Sequence, residues 1–312
     1  MPCKTTPSQN ILPAITPDSE HRGLLARLPQ NMRDYAMLAR FDRPIGFWLL
    51  CWPCAWGVLL SGAPWHLQWP LLLWLLLGSV AMRGAGCVYN DIVDADLDRQ
   101  VARTASRPVA SGRVAPRAAW VWLLALCGAG LIVLLQLRWQ AQVTALASLA
   151  LVAAYPFMKR ITWWPQAWLG LVFTWGAPVG WIALRGDRLE VMGALYAGAF
   201  FWCMGYDTIY ALQDREDDAL VGIRSSALRL GGHVQAGVTG FYLAAIACWA
   251  ASFWLLRADG LALLALAPVA AHLMWQAASL DPADSANPLH RFRSNRHAGL
   301  LLAAACFVVG AA

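Results

Sequence analysis

The chain has 312 residues, of which 59% are hydrophobic and 13% charged, with a formal net charge of +6. A soluble globular domain carries roughly 25% charged residues, so this composition excludes a single soluble core and describes a membrane protein. The positive balance does not mark a nucleic-acid binder, because the basic residues are parcelled out among particular loops rather than gathered in one patch.

Residues 1–40 are polar and mixed in charge and contain no apolar stretch before a small-residue cleavage site, so no signal peptide is expected. They read as a cytoplasmic N-terminal segment, and residues 41–312 as a single transmembrane domain. Crossing a bilayer takes on the order of 20 apolar residues. Such runs recur near 44–62, 70–90, 118–137, 141–158, 165–184, 192–213, 236–256, 259–279 and 297–312. The fold class is therefore all-α and integral to the membrane, a bundle of about nine transmembrane helices. With the N-terminus placed in the cytoplasm, 19 of the 24 Lys and Arg residues fall in the leading segment and the loops after the second, fourth, sixth and eighth spans. That asymmetry is the positive-inside rule. Acidic residues in the N-terminal segment argue against a transit peptide, which favours a bacterial cell inner membrane as the location.

Cys51-Trp-Pro-Cys54 has the spacing of a redox pair, but it lies within an apolar run and lacks a βαβ context. The other cysteines of the spans read as small apolar residues.

Two acidic clusters break the apolar pattern. The first, Asn90-Asp91-Ile-Val-Asp94-Ala-Asp96-Leu-Asp98, ends the second span; the second, Asp214-Arg-Glu-Asp217-Asp218, ends the sixth. Each is followed by a basic loop that contains Ser or Thr. At 100° per residue, Arg83, Asn90 and Asp94 share one face of a helix, and Asp98 lies slightly further round. Asp207, Asp214 and Asp218 share another, at spacings of seven and four. Two facing stripes of carboxylates repel unless a cation lies between them. Carboxylates are hard ligands suited to Mg²⁺, which shares its coordination shell with substrate phosphates. The absence of a His or Cys cluster disfavours zinc. Arg103, Arg107, Arg224 and the pair Lys159-Arg160 can hold a polyanion. A solvated loop explains the clusters poorly, since Arg83 lies inside a span, where a charge is expensive.

These motifs resemble those of the UbiA superfamily of intramembrane prenyltransferases, whose signatures NDxxDxxxD and DxxxD both fit without a gap. The strings "DRPIG" at 42–46, "RTASRPVASG" at 103–112, "YPFMKR" at 155–160 and "DTIYALQDREDD" at 207–218 extend the likeness over most of the chain and favour the branch acting on 4-hydroxybenzoate. The resemblance implies a helical bundle around a central cavity, capped on the cytoplasmic side and opening sideways to lipid. It implies that Asp94 and Asp98 hold one Mg²⁺ and Asp214 and Asp218 another. Arg107, Tyr155 and Lys159 would contact a polyprenyl diphosphate, while Arg83 and Asn90 would line the site for 4-hydroxybenzoate, with Arg83 opposite its carboxylate. Asp91 and Asp217 would support the ligands from behind, and Asp96 is an extra acid that either binds metal or faces solvent.

No Ser-His or Cys-His arrangement suggests a covalent nucleophile. The expected chemistry is ionisation of an allylic diphosphate followed by electrophilic attack on an aromatic ring, a step of ubiquinone biosynthesis. Phe47, Trp48, Tyr89, Phe173 and Trp175 are candidate walls for the passing cation. Other aromatic acceptors used within the superfamily are an alternative. From a different class, so is a cation- or proton-coupled transporter, which the gathering of the acids at one end disfavours.

Overall fold

The computed structural model describes residues 25, 27–100, 104–222, 224–284 and 286–311, apart from the side chains at 159, 160, 217, 218 and 221. The described residues form helices and connecting turns. After a short surface helix, α1 (Gln30–Leu38), come α2 (Ile45–Leu60), α3 (Trp65–Val93) and the one-turn α4 (Ala95–Asp98). These are followed by α5 (Pro116–Leu134), α6 (Trp139–Ile161), α7 (Pro165–Phe173), α8 (Gly176–Leu184) and α9 (Leu189–Ala211). A 3₁₀ turn at Leu212–Asp214 leads to α10 (Arg215–Val221) and α11 (Ser226–Leu230). Then come α12 (Val234–Leu256), α13 (Gly260–Leu264), α14 (Ala267–Ala278) and α15 (Asn287–Ala311).

Each of the nine expected spans coincides with helix, but two are broken. The run 165–184 divides into α7 and α8 at Thr174 and Trp175, and 259–279 into α13 and α14. Pro178 and Pro268 stand early in the second half of each pair. Proline has no N–H to donate to the preceding turn, so it sits more easily near the start of a new helix than inside an old one. Among the described residues six segments are both long and apolar enough to cross a membrane. The remaining three depart from that pattern for physical reasons. α2 has only 16 residues; α9 and α15 carry charges. α9 packs on α7, α8, α12 and α15 and buries much of its surface in the centre of the bundle. A helix screened from lipid by its neighbours need not be apolar all round.

Helix directions follow from what meets at each end of the bundle. At one end, Arg185 reaches the Ser61 carbonyl at 3.1 Å, Arg188 the Leu255 carbonyl, and Trp65 meets Phe307 edge to face at 5.9 Å. At the other, Arg40 meets Asp91, Arg224 donates to the Ile161 carbonyl at 2.7 Å, and Tyr210 lies 4.6 Å from Phe292, ring to ring. The two acidic motifs follow the C-terminal ends of α3 and α9 and lie together at this second end.

In lipid, helix association depends on close packing rather than on the hydrophobic effect. The seam between α2 and α8 shows how it is achieved. A Cβ at Gly57 would stand 2.3 Å from the Ala177 carbonyl oxygen, and one at Gly180 would stand 2.2 Å from the Cys54 carbonyl oxygen, so the two backbones touch. Cys51 and Cys54 are both free and buried along α2, and Cys54 packs against this seam. The pair thus serves packing, in keeping with the weak redox reading of its spacing.

Any side chain at position 57 or 180 must force the helices apart. We expect Gly180→Val to cost more than the roughly 1–3 kcal/mol typical of core overpacking, because the obstacle is main chain. A lowered unfolding temperature of the detergent-solubilised protein is the measurement.

Candidate active site

The acidic end of α3 is built around buried carboxylates. Asp91 is 1% exposed, Asp94 0% and Asp98 4%, with Asp42 also buried nearby in sequence to α2. α3 stops at Val93 and α4 resumes after Asp94, whose carbonyl accepts the Asp98 amide at 2.8 Å. The chain therefore keeps roughly helical register through the motif, and Asp98 remains close to the stripe that holds Asp94. Asp96, two residues on from Asp94, projects elsewhere: its side chain is 91% exposed and pairs with Arg99 at 2.7 Å. The extra acid of the motif faces solvent.

Arginines from two separate segments compensate the buried acids. Arg40 Nη2 donates to both Asp91 oxygens at 2.8 and 3.0 Å. Arg107 Nη1 donates to both Asp98 oxygens at 3.0 and 2.8 Å and also reaches Asp91 at 3.3 Å. Burial pushes the Asp98 carboxyl above the ordinary carboxylate range, while Arg107 pulls in the opposite direction. Burial opposes the charge of Arg40, but Asp91 beside it holds the guanidinium above its ordinary range. The Arg40 backbone is left-handed, with φ 58°. A non-glycine residue adopts that conformation at a cost of about 1–2 kcal/mol. The side chain offsets the cost by gripping Asp91 and the Met37 carbonyl, the latter at 2.8 Å.

Other expected site residues are placed as follows. Arg83 and Tyr155 line a cavity of about 560 Å³ together with Gly86, Tyr89, Phe173 and Trp175, and most of the remaining wall is aliphatic. The cavity lies where α5 packs on α3 while α6 packs on α7 and α8, so that two helices adjacent in sequence diverge. Arg83 Nη1 donates to Cys87 Sγ, and its guanidinium lies 5.3 Å from the centre of the Phe173 ring. It fits against α2 because position 46 is glycine, where a Cβ would stand 2.7 Å from Arg83 Nε. Asn90 is partly buried on the same helix. Arg224 lies over the Trp163 ring at 5.5 Å and donates to the Ile161 carbonyl at the end of α6. Asp214 is partly buried in the 3₁₀ turn after α9. The side chains of Lys159, Asp217 and Asp218 lie outside those described.

The loop after the second motif is fixed by buried polar contacts. Ser226 Oγ lies 2.7 Å from Thr208 Oγ1, and the Ser226 amide donates to Gln166 at 3.0 Å. Ser225 caps α11 by accepting from the Leu228 amide.

Among the described residues, no three His, Cys, Asp or Glu side chains come close enough together to hold an ion by themselves. The donor set nonetheless has the right chemistry for a hard cation. It consists of carboxylate oxygens buried at one end of the bundle, and one of them, Asp42 Oδ1, lacks any hydrogen-bond partner. Arg40 and Asp42 were not among the residues singled out for the site from sequence. Asp42 opens the string "DRPIG" that carries part of the resemblance, but nothing in the spacing of either residue relates it to Asp91 or Asp98.

An apolar internal cavity lined by an arginine, with buried acids at one end of the same helical bundle, is the architecture of an enzyme embedded in the membrane. Residues 50–310 match the UbiA prenyltransferase family, and the chain belongs to it. Over 286 residues it is 43% identical to the mitochondrial 4-hydroxybenzoate polyprenyltransferase of Aedes aegypti, a match covering 91% of this chain and 64% of that relative. Its fold matches the apo structure of a UbiA homolog from Aeropyrum pernix K1, with a TM-score of 0.66 and 27% identity, covering 84% of this chain and 97% of that one. A UbiA homolog from Archaeoglobus fulgidus bound to GPP and Mg²⁺ shares the fold at 18% identity and a TM-score of 0.66, covering 89% of this chain and all of that one.

Two outcomes test this arrangement. Asp91→Ala leaves Arg40 and Arg107 without a shared carboxylate and should lower stability by about 3 kcal/mol, the scale for removing one partner of a buried ion pair; chemical denaturation in detergent measures it. Gly46→Ala should displace Arg83 while leaving the fold intact, seen as an unchanged unfolding temperature with weakened binding of a carboxylated aromatic ligand.

Proposed function

We propose that this protein transfers a polyprenyl group from a polyprenyl diphosphate to the ring of 4-hydroxybenzoate, a step of ubiquinone biosynthesis. The observation that carries the reading is the union of an apolar cavity containing Arg83 with buried carboxylates at its end of α3. The identity to a relative named for this activity supports it, as does the neighbour bound to GPP and Mg²⁺. In this reading Mg²⁺ is held by Asp94 and Asp98 from one motif and Asp214 and Asp218 from the other. It supplies positive charge where the departing diphosphate becomes more negative.

The remaining work belongs to the chain. Arg107, Tyr155, Lys159 and Arg224 bind the diphosphate oxygens, and Asp91 and Asp217 orient the groups in front of them. Asp91 suits that role because it already fixes Arg107 at 3.3 Å and Arg40 at 2.8 Å. Arg83 binds the carboxylate of the acceptor beside Asn90. The allylic carbon–oxygen bond breaks with its electron pair on the diphosphate, a ring carbon next to the phenolic oxygen forms the new carbon–carbon bond, and that carbon then loses its proton. Aliphatic and aromatic walls keep water from the cation. The membrane lipid surrounds the bundle and supplies the donor from the side.

We place the protein in a bacterial inner membrane with the acidic end facing the cytoplasm. The crowding of basic residues into the loops at that end supports this orientation.

Purified protein incubated with 4-hydroxybenzoate, a polyprenyl diphosphate and Mg²⁺ should yield the prenylated acid by mass analysis, and a chelator should stop it. Asp94→Asn and Asp214→Asn should each abolish turnover without loss of membrane insertion; full activity in either variant removes the metal assignment.

A further inference from the structure

Among the described residues that line the cavity, four are glycine: Gly78, Gly86, Gly130 and Gly176. Glycine weakens a helix relative to alanine, and membrane helices most often keep it where another helix comes close. Three of the four fit that rule, because a Cβ would press on Val133 at position 78, on Met82 at 130 and on Cys54 at 176. Gly86 does not. Apart from its own stretch of α3, nothing lies within 4 Å of where its Cβ would stand. It sits in regular helix, so no positive φ demands glycine either. Neither packing nor backbone conformation accounts for this glycine, and the space it leaves belongs to the cavity.

The neighbours of that space give it a chemical character. On the helix Gly86 lies within about 60° of both Arg83 and Asn90, about 4.5 Å along the axis beyond the first and about 6 Å before the second. The Arg83 side chain runs along α3 as far as Cys87, whose Sγ accepts from Nη1, so the guanidinium stands at the level of Gly86. Phe173 lies 5.3 Å from it, guanidinium to ring centre, and Gly46 bounds it on α2. Its buried Nε makes no hydrogen bond. The aliphatic end of the cavity is elsewhere: Leu75 precedes Gly86 by about three turns, or about 16 Å. A hydrocarbon chain gains nothing beside a desolvated guanidinium. An aromatic carboxylate meets it with opposite charge and lays a flat ring on the bare helix.

We infer that Gly86 is the seat of the acceptor ring: its missing side chain leaves the space in which the ring lies against α3, with the carboxylate on Arg83. The inference rests on the reading of the acceptor as 4-hydroxybenzoate and adds a specificity-determining position to it. A side chain at 86 takes volume from the ring and not from the aliphatic end of the cavity, so it acts on the acceptor and spares the donor. Because no neighbour is displaced, the same substitution leaves the fold intact, and an alanine there strengthens the helix. The glycine thus gives up some helix stability for a place to bind, the exchange expected at a functional site.

The test uses the full-length protein in detergent and compares wild type, Gly86→Ala, Gly86→Val and Gly128→Ala. Gly128 on α5 also has nothing within 4 Å of its Cβ position but does not line the cavity, so its variant is the control for helix strength alone. Equilibrium binding of 4-hydroxybenzoate, KM for each substrate and unfolding temperature are measured. Both alanine variants should unfold at or above the wild-type temperature. Binding of 4-hydroxybenzoate should be unchanged in Gly128→Ala, several-fold weaker in Gly86→Ala and about tenfold weaker or more in Gly86→Val, the scale of overfilling a packed site. The KM for the donor should stay within about twofold throughout. Wild-type affinity for 4-hydroxybenzoate in Gly86→Ala and Gly86→Val overturns the assignment. So does a donor KM that rises in step with that of the acceptor, since the space would then hold the isoprenoid chain, and so does a lowered unfolding temperature in Gly86→Ala, which would make the glycine a packing residue. Should Gly86→Val fail to insert, Gly86→Ala decides by the same readings. A wild-type protein that neither binds nor prenylates 4-hydroxybenzoate instead overturns the proposed function, which separates the two failures.

Discussion

Carboxylates buried at the end of an apolar bundle are the constraint around which the rest of this protein is arranged. Asp42, Asp91, Asp94 and Asp98 are all withdrawn from water, and withdrawing an ion costs several kcal/mol unless opposite charge is fixed beside it. The chain supplies that charge from two sides. Arg40 comes from the turn between α1 and α2, and Arg107 from the loop that follows α4. Both segments are thereby fastened to the end of α3. The left-handed backbone at Arg40 is part of the same arrangement, because the residue must turn sharply to direct its guanidinium at Asp91.

The interior is organised by contrast. Where chemistry is proposed, polar atoms are few and their positions are set by long helices; elsewhere, backbone touches backbone. α2 lies against α3, α8 and α15, and α9 against α7, α12 and α15, so these two helices carry the contacts that make the bundle rigid. Buried bonds from side chains lock them in rotation. Trp56 donates to the Gly299 carbonyl at 2.9 Å and Trp202 to Asn295 at 2.8 Å. The cavity is left on the opposite side, where α5 departs from α6, and its walls offer water little to bond with. Such a cavity suits a reaction whose intermediate must not meet water.

Much of this was legible in the sequence because lipid imposes strong rules on it. Apolar runs of span length must be helical, since no water is present to satisfy the backbone, and the nine expected runs coincide with helix. Helical periodicity also put Arg83, Asn90 and Asp94 on one stripe, and the chain keeps that register past Val93. Less legible was which acids of the first motif point inward. Asp96 reads as one more acid in an Asp-rich string, yet it lies two residues from Asp94 and so projects toward solvent. The breaks within two spans were also missed, because apolarity alone does not register a proline early in a second helical half.

The sequence by itself determined membrane residence, where the apolar helical runs lie, the end at which the acids gather and the family, since these depend on local composition, period and spacing. Only the tertiary structure decided the pairings. Arg40 meets Asp91 across 51 positions, and Arg83 fits against a glycine of another helix. Partners of this kind depend on how helices are rotated and offset in packing, which is a property of surfaces in contact and leaves no period in the chain that forms them.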